Sequence, residues 1–493
     1  MPGEDELIQL RREKLARLRA RGVDPYPARV ARTHATVDAA AALEGWEAGG
    51  GAGDPPSVAV AGRIVSRREM GKASFVDLRD GSGRIQCYLK RDVVGEEAYD
   101  DLADLDLGDF ALVSGPLFRT RTQEITVEAR SYQVIAKALR PPPEKWHGVE
   151  DVEIRYRQRY LDLMANAEVR DIFRTRAAVV AAMRRYLDAQ GFIEVETPVL
   201  QPEAGGAAAT PFVTHHRTLD EDFYLRISLE LHLKRLVVGG YDRVYEIGRI
   251  FRNEGVSWKY NPEFTMLESY QAYADYNDVA RMVEDMVSGI ARGVLGEAAV
   301  RFGEQHIDLT PPWRRITMRD ALIEHAGIDF QEYRTREKLL EEMQRRHLEV
   351  DPGWSWARLL DEAVSHYVEP KLVQPTFLLD YPKEISPLAK LKPGEPGIVE
   401  RFEVFIAGFE IGNAYSELND PVDQRERFET QARLAAAGLE EVETLDEDFL
   451  VALEHGMPPA GGLGIGIDRL VMILTGQTSI REVILFPQLR RRE

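Results

Sequence analysis

At 493 residues the chain is too long for one ordinary domain and predicts two or three. Its formal charge of -19 argues against non-specific nucleic-acid binding and leaves room only for a local basic site. No apolar run approaches the roughly 18 residues that span a bilayer, and a single cysteine, Cys87, excludes an internal disulfide or a cysteine zinc site, so a cytoplasmic protein with no membrane partner is expected.

The acidic start MPGEDELIQL reads as neither a secretory signal nor a transit peptide. Residues 4–21 predict a helix, with Glu4, Asp5 and Glu6 at its start and arginines toward Arg21, an order that suits the helix dipole. Leu7, Leu10, Leu15 and Leu18 give it a rough apolar stripe, and two roles stay open for it, a packing or dimer-contact helix or an RNA-contacting one. The stretch GWEAGGGAGDPP, 45–56, reads as a glycine-rich loop, so residues 1–55 form an N-terminal helix and linker. From 56 to 140 about five short alternating runs separated by turn signals predict a small closed barrel, of which the OB-fold is one candidate.

RPPPEKWHG opens a proline-marked hinge, 141–160. From 161 to 493 helices and strands mix. An amphipathic helix over VRDIFRTRAAVVAAMRRYLDAQ stops at Gly191, and a strand, FIEVETPVL, follows with Pro198 in it. The segment at about 315–375 reads as a mainly helical insertion.

Three stretches carry residues suited to chemistry. In FRNEGVSWKYNPEF, 251–264, the flanking runs alternate as two strands of a long-looped hairpin. Arg252 there can grip a carboxylate or phosphate bidentately, and Phe264 offers a flat face to a nucleobase. The plainer alternative makes Phe264 a core residue and Arg252 a surface ion pair. Period-two spacing puts Phe264, Met266, Glu268 and Tyr270 on one face. In GGLGIGIDRLVMILTG, 461–476, a glycine strand precedes a helix whose first turn holds Arg469. In EVFIAGFEIGNAYSELNDP, 403–421, Glu403, Glu410 and Glu417 accompany Asn413 and Tyr415, acids that suit a magnesium ion or a substrate ammonium. His215, His216 and His232 lack metal-ligand spacing and read as structural, and no serine or cysteine nucleophile motif stands out.

Together these stretches resemble the class II aminoacyl-tRNA synthetases, specifically the bacterial type of lysyl-tRNA synthetase, over about residues 56–489. AAMRRYLDAQGFIEVETPVL is similar to the family's first motif, the hairpin to the second and GGLGIGIDRLVMILTGQTSIREVILFP to the third, while RYRQRYLDL, LHLKRLVVGG, ISPLAK and YSELND resemble phrases of lysyl enzymes. The resemblance implies an α+β chain: an OB-fold β-barrel that binds the anticodon, plus a class II catalytic domain whose antiparallel sheet is flanked by helices. It implies a lysine–tRNA ligase that uses ATP and magnesium, up to roughly three ions per subunit, acts on L-lysine and tRNA(Lys), and forms a homodimer.

Residue by residue, it assigns Arg252, Glu254, Phe264, Tyr260 and Arg469 to ATP, with Arg252 and Arg469 catalytic, and Glu403 and Glu410 to magnesium. Gly206 and Glu230 fall to the α-amino group, Tyr270 and Glu417 to the ε-ammonium, and Asn413 and Tyr415 shape the pocket. Arg68, Phe75 and Gln86 match contacts to the central anticodon uridine. Two positions depart from the pattern: Tyr260, where family members usually carry histidine, and Thr210, where they usually carry arginine. The sister aspartyl or asparaginyl enzymes and a catalytically dead RNA-binding paralogue are the rival readings.

Overall fold

The computed structural model describes residues 4–143, 149–436 and 445–490. The chain forms two compact units, Met1–Glu150 and Asp151–Glu493.

In the first unit Ser57–Met70 pairs with Ala73–Arg79 through one half of its length and with Phe110–Arg119 through the other, which closes the barrel. A register shift between Ile64 and Ser66 lets one long strand serve both neighbours. The barrel has six strands because the run expected as one strand near residue 130 divides into Ile125–Glu128 and Ser131–Ala136. Val60, Leu78, Cys87, Leu117 and Val127 fill its interior.

The N-terminal segment belongs to this unit rather than linking to it. Helices Glu4–Ala20 and Thr36–Ala48 place Leu18, Ala39 and Leu43 in the barrel core, and the second helix takes in the first four residues of the expected loop. On the first helix Lys14 pairs with Asp106, and Arg17 and Arg21 with Asp104, each at 2.7 Å. Arg11 donates to the Leu107, Ala138 and Arg140 carbonyls. These contacts pack the helix against its own barrel.

In the second unit, Val152–Arg157 and Arg159–Ala165 are helical, so the expected hinge is ordered from Val152 onward, while its residues 144–148 lie outside the described ones. The sheet has eight strands. Six run antiparallel in the order Thr376–Pro382, Ile398–Ile406, Phe409–Ser416, Ala460–Gly466, Glu263–Ala272 and Arg243–Phe251. Short strands Arg314–Thr317 and Ile193–Glu194 join the two edges in parallel. The predicted FIEVETPVL strand is therefore broken: only Ile193–Glu194 joins this sheet, and Leu200–Gln201 joins a separate three-stranded one. Pro198 lies in the gap, where the chain cannot donate a ladder hydrogen bond.

Helices Ala167–Ala189, Tyr276–Leu295 and Ile467–Thr475 pack on the sheet around Met183, Leu187, Val283, Val287 and Leu470. Tyr276–Leu295 starts from a capping box between Asp275 and Asp278 and ends at Gly296 with φ +91°. Between Arg314–Thr317 and Thr376–Pro382 stand three helices, Met318–Ala326, Arg336–Arg345 and Trp356–Tyr367, with their own core around Leu322, Leu339 and Leu360. One apolar layer under the sheet thus fixes its strands, and the outward residues of the central ones are free to line a site.

Candidate active site

The second unit holds a cavity of about 760 Å³, and Phe264, Met266, Glu268 and Tyr270 all line it. The hairpin that carries them is in strict register, Ile250 opposite Phe264 and Glu246 opposite Glu268. Its loop is tied at the base by Arg252 N donating to Pro262 O (2.8 Å) and by Asn253 N donating to Thr210 O (2.8 Å). Thr210 meets the loop there through its backbone, a contact any side chain at that position preserves.

Arg252 forms no ion pair among the described residues. Among the described residues its guanidinium makes one hydrogen bond, Nε to Ile227 O (3.3 Å), and lies 5.3 Å from the Phe264 ring centre. Burial lowers its pKa, opposed by the charges of Glu254 and Glu410. Arg469, on the first turn of Ile467–Thr475, donates from Nη1 to Glu410 O (2.7 Å) and Oε2 (3.0 Å) and lies 5.4 Å from the Tyr260 ring centre. Its neighbour Asp468, 2% exposed, accepts from Arg176 Nη1 (2.6 Å) and Thr265 N (2.6 Å). One carboxylate therefore ties the long helix to the strand position beside Phe264. Glu254 stands exposed in the hairpin loop.

Glu403 and Glu410 lie on neighbouring strands, and each already has an arginine: Arg401 Nη2 meets Glu403 at 2.7 Å, Arg469 meets Glu410. Burial pushes the Glu403 carboxyl up to about 7 against the pull of Arg401, with Glu410 raising it further. Among the described residues no three acidic, histidine or cysteine side chains gather as a ready-made metal cluster. Glu410 lines the cavity, and Glu403 stands on the adjoining strand opposite Asn413, which also lines it. Two hard carboxylates so placed fit magnesium, which takes one or two carboxylates and completes its shell with phosphate oxygens and water.

Deeper in, acids converge. Glu268 Oε1 accepts from Ser228 Oγ (3.0 Å) and Leu229 N (2.9 Å), and Oε2 from Tyr270 Oη (3.0 Å). Gly206, at φ +82°, passes within 3.3 Å of the Glu230 Cβ as measured from the position of an added Cβ. Tyr415 Oη donates to Glu230 Oε1 (2.6 Å), and Asn413 Oδ1 accepts from Arg401 Nε (3.0 Å). Glu417 is 1% exposed, and its Oε1 has no hydrogen-bond partner among the described residues. Burial raises Glu268 to about 7 and Glu417 to about 8, the latter despite a neighbouring ammonium.

That ammonium is Lys234, which sequence reasoning passed over. Its side chain is fully buried on helix Glu230–Val238, where Nζ meets Glu230 Oε1 at 2.5 Å and is in direct ion contact with Glu417 Oε2. The available signal was the Glu–Lys spacing of four, which on sequence alone describes an ordinary exposed helix pair.

On the barrel, Arg68 stands opposite Phe75, and Phe75 opposite Tyr88. The Arg68 guanidinium is 5.9 Å from the Phe75 ring centre, the Phe75 and Tyr88 rings are 4.8 Å apart, and Tyr88 and Phe118 are 6.2 Å apart. Gln86 lies two residues before Tyr88, buried, with Oε1 accepting from Thr126 Oγ1 (3.1 Å). The row of partly exposed rings extends past the predicted Phe75 to Tyr88 and Phe118.

Comparison with known proteins agrees with this geometry. The family described as tRNA synthetases class II (D, K and N) matches residues 151–490, and that of the OB-fold nucleic acid binding domain matches 58–135. The chain belongs to the class II tRNA synthetases. Relatives that match it over nearly its full length are named lysine–tRNA ligases. That of Dehalococcoides mccartyi is 56% identical over 99% of this chain and 98% of its own length. That of Pelotomaculum thermopropionicum is 52% identical over 99% and 96%, and that of Bacillus subtilis 49% identical over 99% and 98%. The fold is thus an N-terminal OB-fold barrel followed by a class II catalytic domain, and no helix among the described residues is long and apolar enough to cross a membrane.

Proposed function

We propose that the protein is a lysine–tRNA ligase that joins L-lysine to ATP as lysyl-adenylate, releasing diphosphate, and then transfers lysine to the 3′ end of tRNA(Lys). Full-length identity to proteins of that name supports the reading. The observation that carries it is the buried Glu417 carboxylate, whose Oε1 has no hydrogen-bond partner among the described residues and lies directly behind the pocket wall that Gly462 and Tyr270 form beside Glu230 and Glu268. Such a pocket costs several kcal/mol to desolvate unless a cation enters it.

On this reading Arg252 bridges the lysine carboxylate and the α-phosphate as the carboxylate oxygen attacks phosphorus, and its position in the cavity, with no ion pair among the described residues, suits two anions arriving together. Phe264 stacks on the adenine, Glu254 meets its edge, and Arg469, set against Tyr260, holds the terminal phosphates. Tyr260 supplies a ring face to Arg469 at a position where a histidine would supply charge. Magnesium, held by Glu403 and Glu410, would add Lewis-acid charge at the phosphate oxygens. Gly206 and Glu230 take the α-amino group, while Tyr270 and Glu417 take the ε-ammonium beside Asn413 and Tyr415. Arg68, Phe75 and Gln86, with Tyr88, bind the anticodon. We place the enzyme in the cytoplasm as a homodimer.

Because the family also contains aspartate and asparagine enzymes, the sister specificity is the second reading. A substrate carboxylate brought toward Glu230, Glu268 and Glu417 would meet like charge, which disfavours it. The test is amino-acid-dependent ATP–diphosphate exchange with all twenty amino acids and ornithine, alongside Glu417→Gln. Exchange with lysine alone, lost in the variant, is expected. Exchange with aspartate or asparagine would move the protein to the sister branch.

A further inference from the structure

Lys234 is a fully buried ammonium with a dedicated setting. Glu230 reaches it from one turn earlier on its own helix, Glu417 from the end of the neighbouring strand, and the rings of Tyr415 and Phe449 lie 5.4 and 5.9 Å from Nζ. The other basic groups of the helix face elsewhere: Arg235 pairs with Asp446 and Asp448, and His232 lies against Gln201. From Glu263–Ala272 the groups facing the cluster are Glu268 and Tyr270, bonded to each other. Lys234 is thus the one cation in ion contact with these acids among the described residues.

We infer that Lys234 is a positioning residue for amino-acid recognition: its ammonium holds the Glu230 and Glu417 carboxylates apart and aimed, so that each has an oxygen free for one ammonium group of the substrate. The inference rests on the lysine-ligase reading and adds a residue to it. Two carboxylates drawn to one buried site repel each other unless a cation lies between them. A cation supplied by the protein fixes their geometry before substrate arrives, so less of the binding energy goes into ordering the site.

The charge count also leaves work for the substrate. Glu230, Glu268 and Glu417 against Lys234 leave an excess of two negative charges when all are ionised, and lysine brings two ammonium groups. With lysine absent, the excess is relieved by protons, in line with the raised carboxyls of Glu268 and Glu417. Removing Lys234 deepens that protonation, and a protonated Glu417 offers the ε-ammonium no charge.

The experiment compares Lys234→Met and Lys234→Arg with the unaltered full-length protein in lysine-dependent ATP–diphosphate exchange between pH 6.5 and 9. Lys234→Met is expected to raise the lysine KM about tenfold or more at pH 7.5 while the ATP KM stays within about twofold, a pattern that removes amino-acid binding alone. The lysine defect narrows toward pH 9 as the carboxyls ionise, and Lys234→Arg recovers part of the loss. An unchanged lysine KM, or ATP and lysine KM values rising together at every pH, overturns the assignment. Should neither variant fold, calorimetry on the unaltered protein decides. Lysine titrated at pH 7.5 in two buffers of different ionisation enthalpy must release protons, and no release refutes the charge balance. Failure of the unaltered protein to exchange with lysine would instead refute the ligase reading itself.

Discussion

Gly462→Ala tests the amino-acid pocket without removing any charged group. Gly462 is held by ladder pairing on both sides, opposite Tyr270 and opposite Tyr415, so its backbone has little room to retreat. A Cβ there would lie 1.9 Å from Glu417 Oε1 and 2.6 Å from Tyr270 Cε1. Restoring ordinary contact at 3.4 Å requires the carboxylate oxygen to move by the difference, about 1.5 Å. An ammonium–carboxylate separation that grows from about 3 to about 4.5 Å loses roughly 1.8 kcal/mol at an effective dielectric of about 20, or roughly twentyfold in affinity. The lysine KM in ATP–diphosphate exchange should rise by about that factor with the ATP KM unchanged, since Gly462 is remote in sequence and register from Phe264. A lysine KM within about twofold of the unaltered protein would refute the placement of Glu417 in the pocket.

Other outcomes follow from the same geometry. Glu268 and Glu417 are raised to about 7 and about 8, and an ammonium favours their ionised forms, so lysine affinity should rise as pH increases from 6 to 8.5. The sign for stability is opposite. Carboxyls raised above their unfolded values bind protons preferentially in the folded state, so the lysine-free protein loses stability as pH rises through 7–8, and added lysine raises Tm more at pH 8.5 than at pH 6. Phe264→Leu removes a ring for the base and should raise the ATP KM by about one order of magnitude, from roughly 1–3 kcal/mol of stacking, with little effect on lysine. Phe75→Ala and Tyr88→Ala should each weaken tRNA in aminoacylation by a similar factor while leaving ATP–diphosphate exchange intact, and an equal loss in both assays would remove the barrel face from tRNA binding.

What the sequence made legible was what local rules govern. The hairpin's alternation is a period-two pattern, and it placed Phe264 through Tyr270 on one face without knowledge of the partner strands. The glycine strand running into a helix at Ile467 is local too, because glycines admit close neighbours and the helix needs only its own residues. Tertiary overrides were not legible. FIEVETPVL has a strand's composition, yet only two of its residues find a ladder there, because the edge of the sheet takes no more. Residues 45–48 continue a helix because Leu43 is drawn into the barrel core, a contact the glycine count conceals. Lys234 was hidden for the same reason: whether a Glu–Lys helix pair is solvated or buried depends on Glu417, more than 180 residues away in the chain.

The remaining step concerns direction. Phe264, Met266, Glu268 and Tyr270 lie along one strand face, which at about 3.3 Å per residue spans roughly 20 Å. Charge reverses along it. At the Phe264 end stands Arg252, half-buried, in the cavity and with no ion pair among the described residues; toward Tyr270 stand Glu268, Glu417 and Glu230 with one resident cation. Lysine carries its ε-ammonium at one end and its carboxylate beside the α-ammonium at the other. It is favoured with the side-chain end toward the acids and the carboxylate toward Arg252, and the reverse orientation brings the carboxylate against like charge. A carboxylate and a phosphate repel each other in water, so a reaction between them needs a cation fixed between the two before they meet. Arg252 fills that requirement because among the described residues no carboxylate is in ion contact with it, and supplying one in contact would cost the site its attraction for both anions. Placing a glutamate at Ile227, whose carbonyl accepts the one hydrogen bond of the Arg252 guanidinium among the described residues, should therefore abolish exchange while leaving lysine binding measurable by calorimetry. Exchange that survived Ile227→Glu would show that the two anions meet somewhere other than at Arg252.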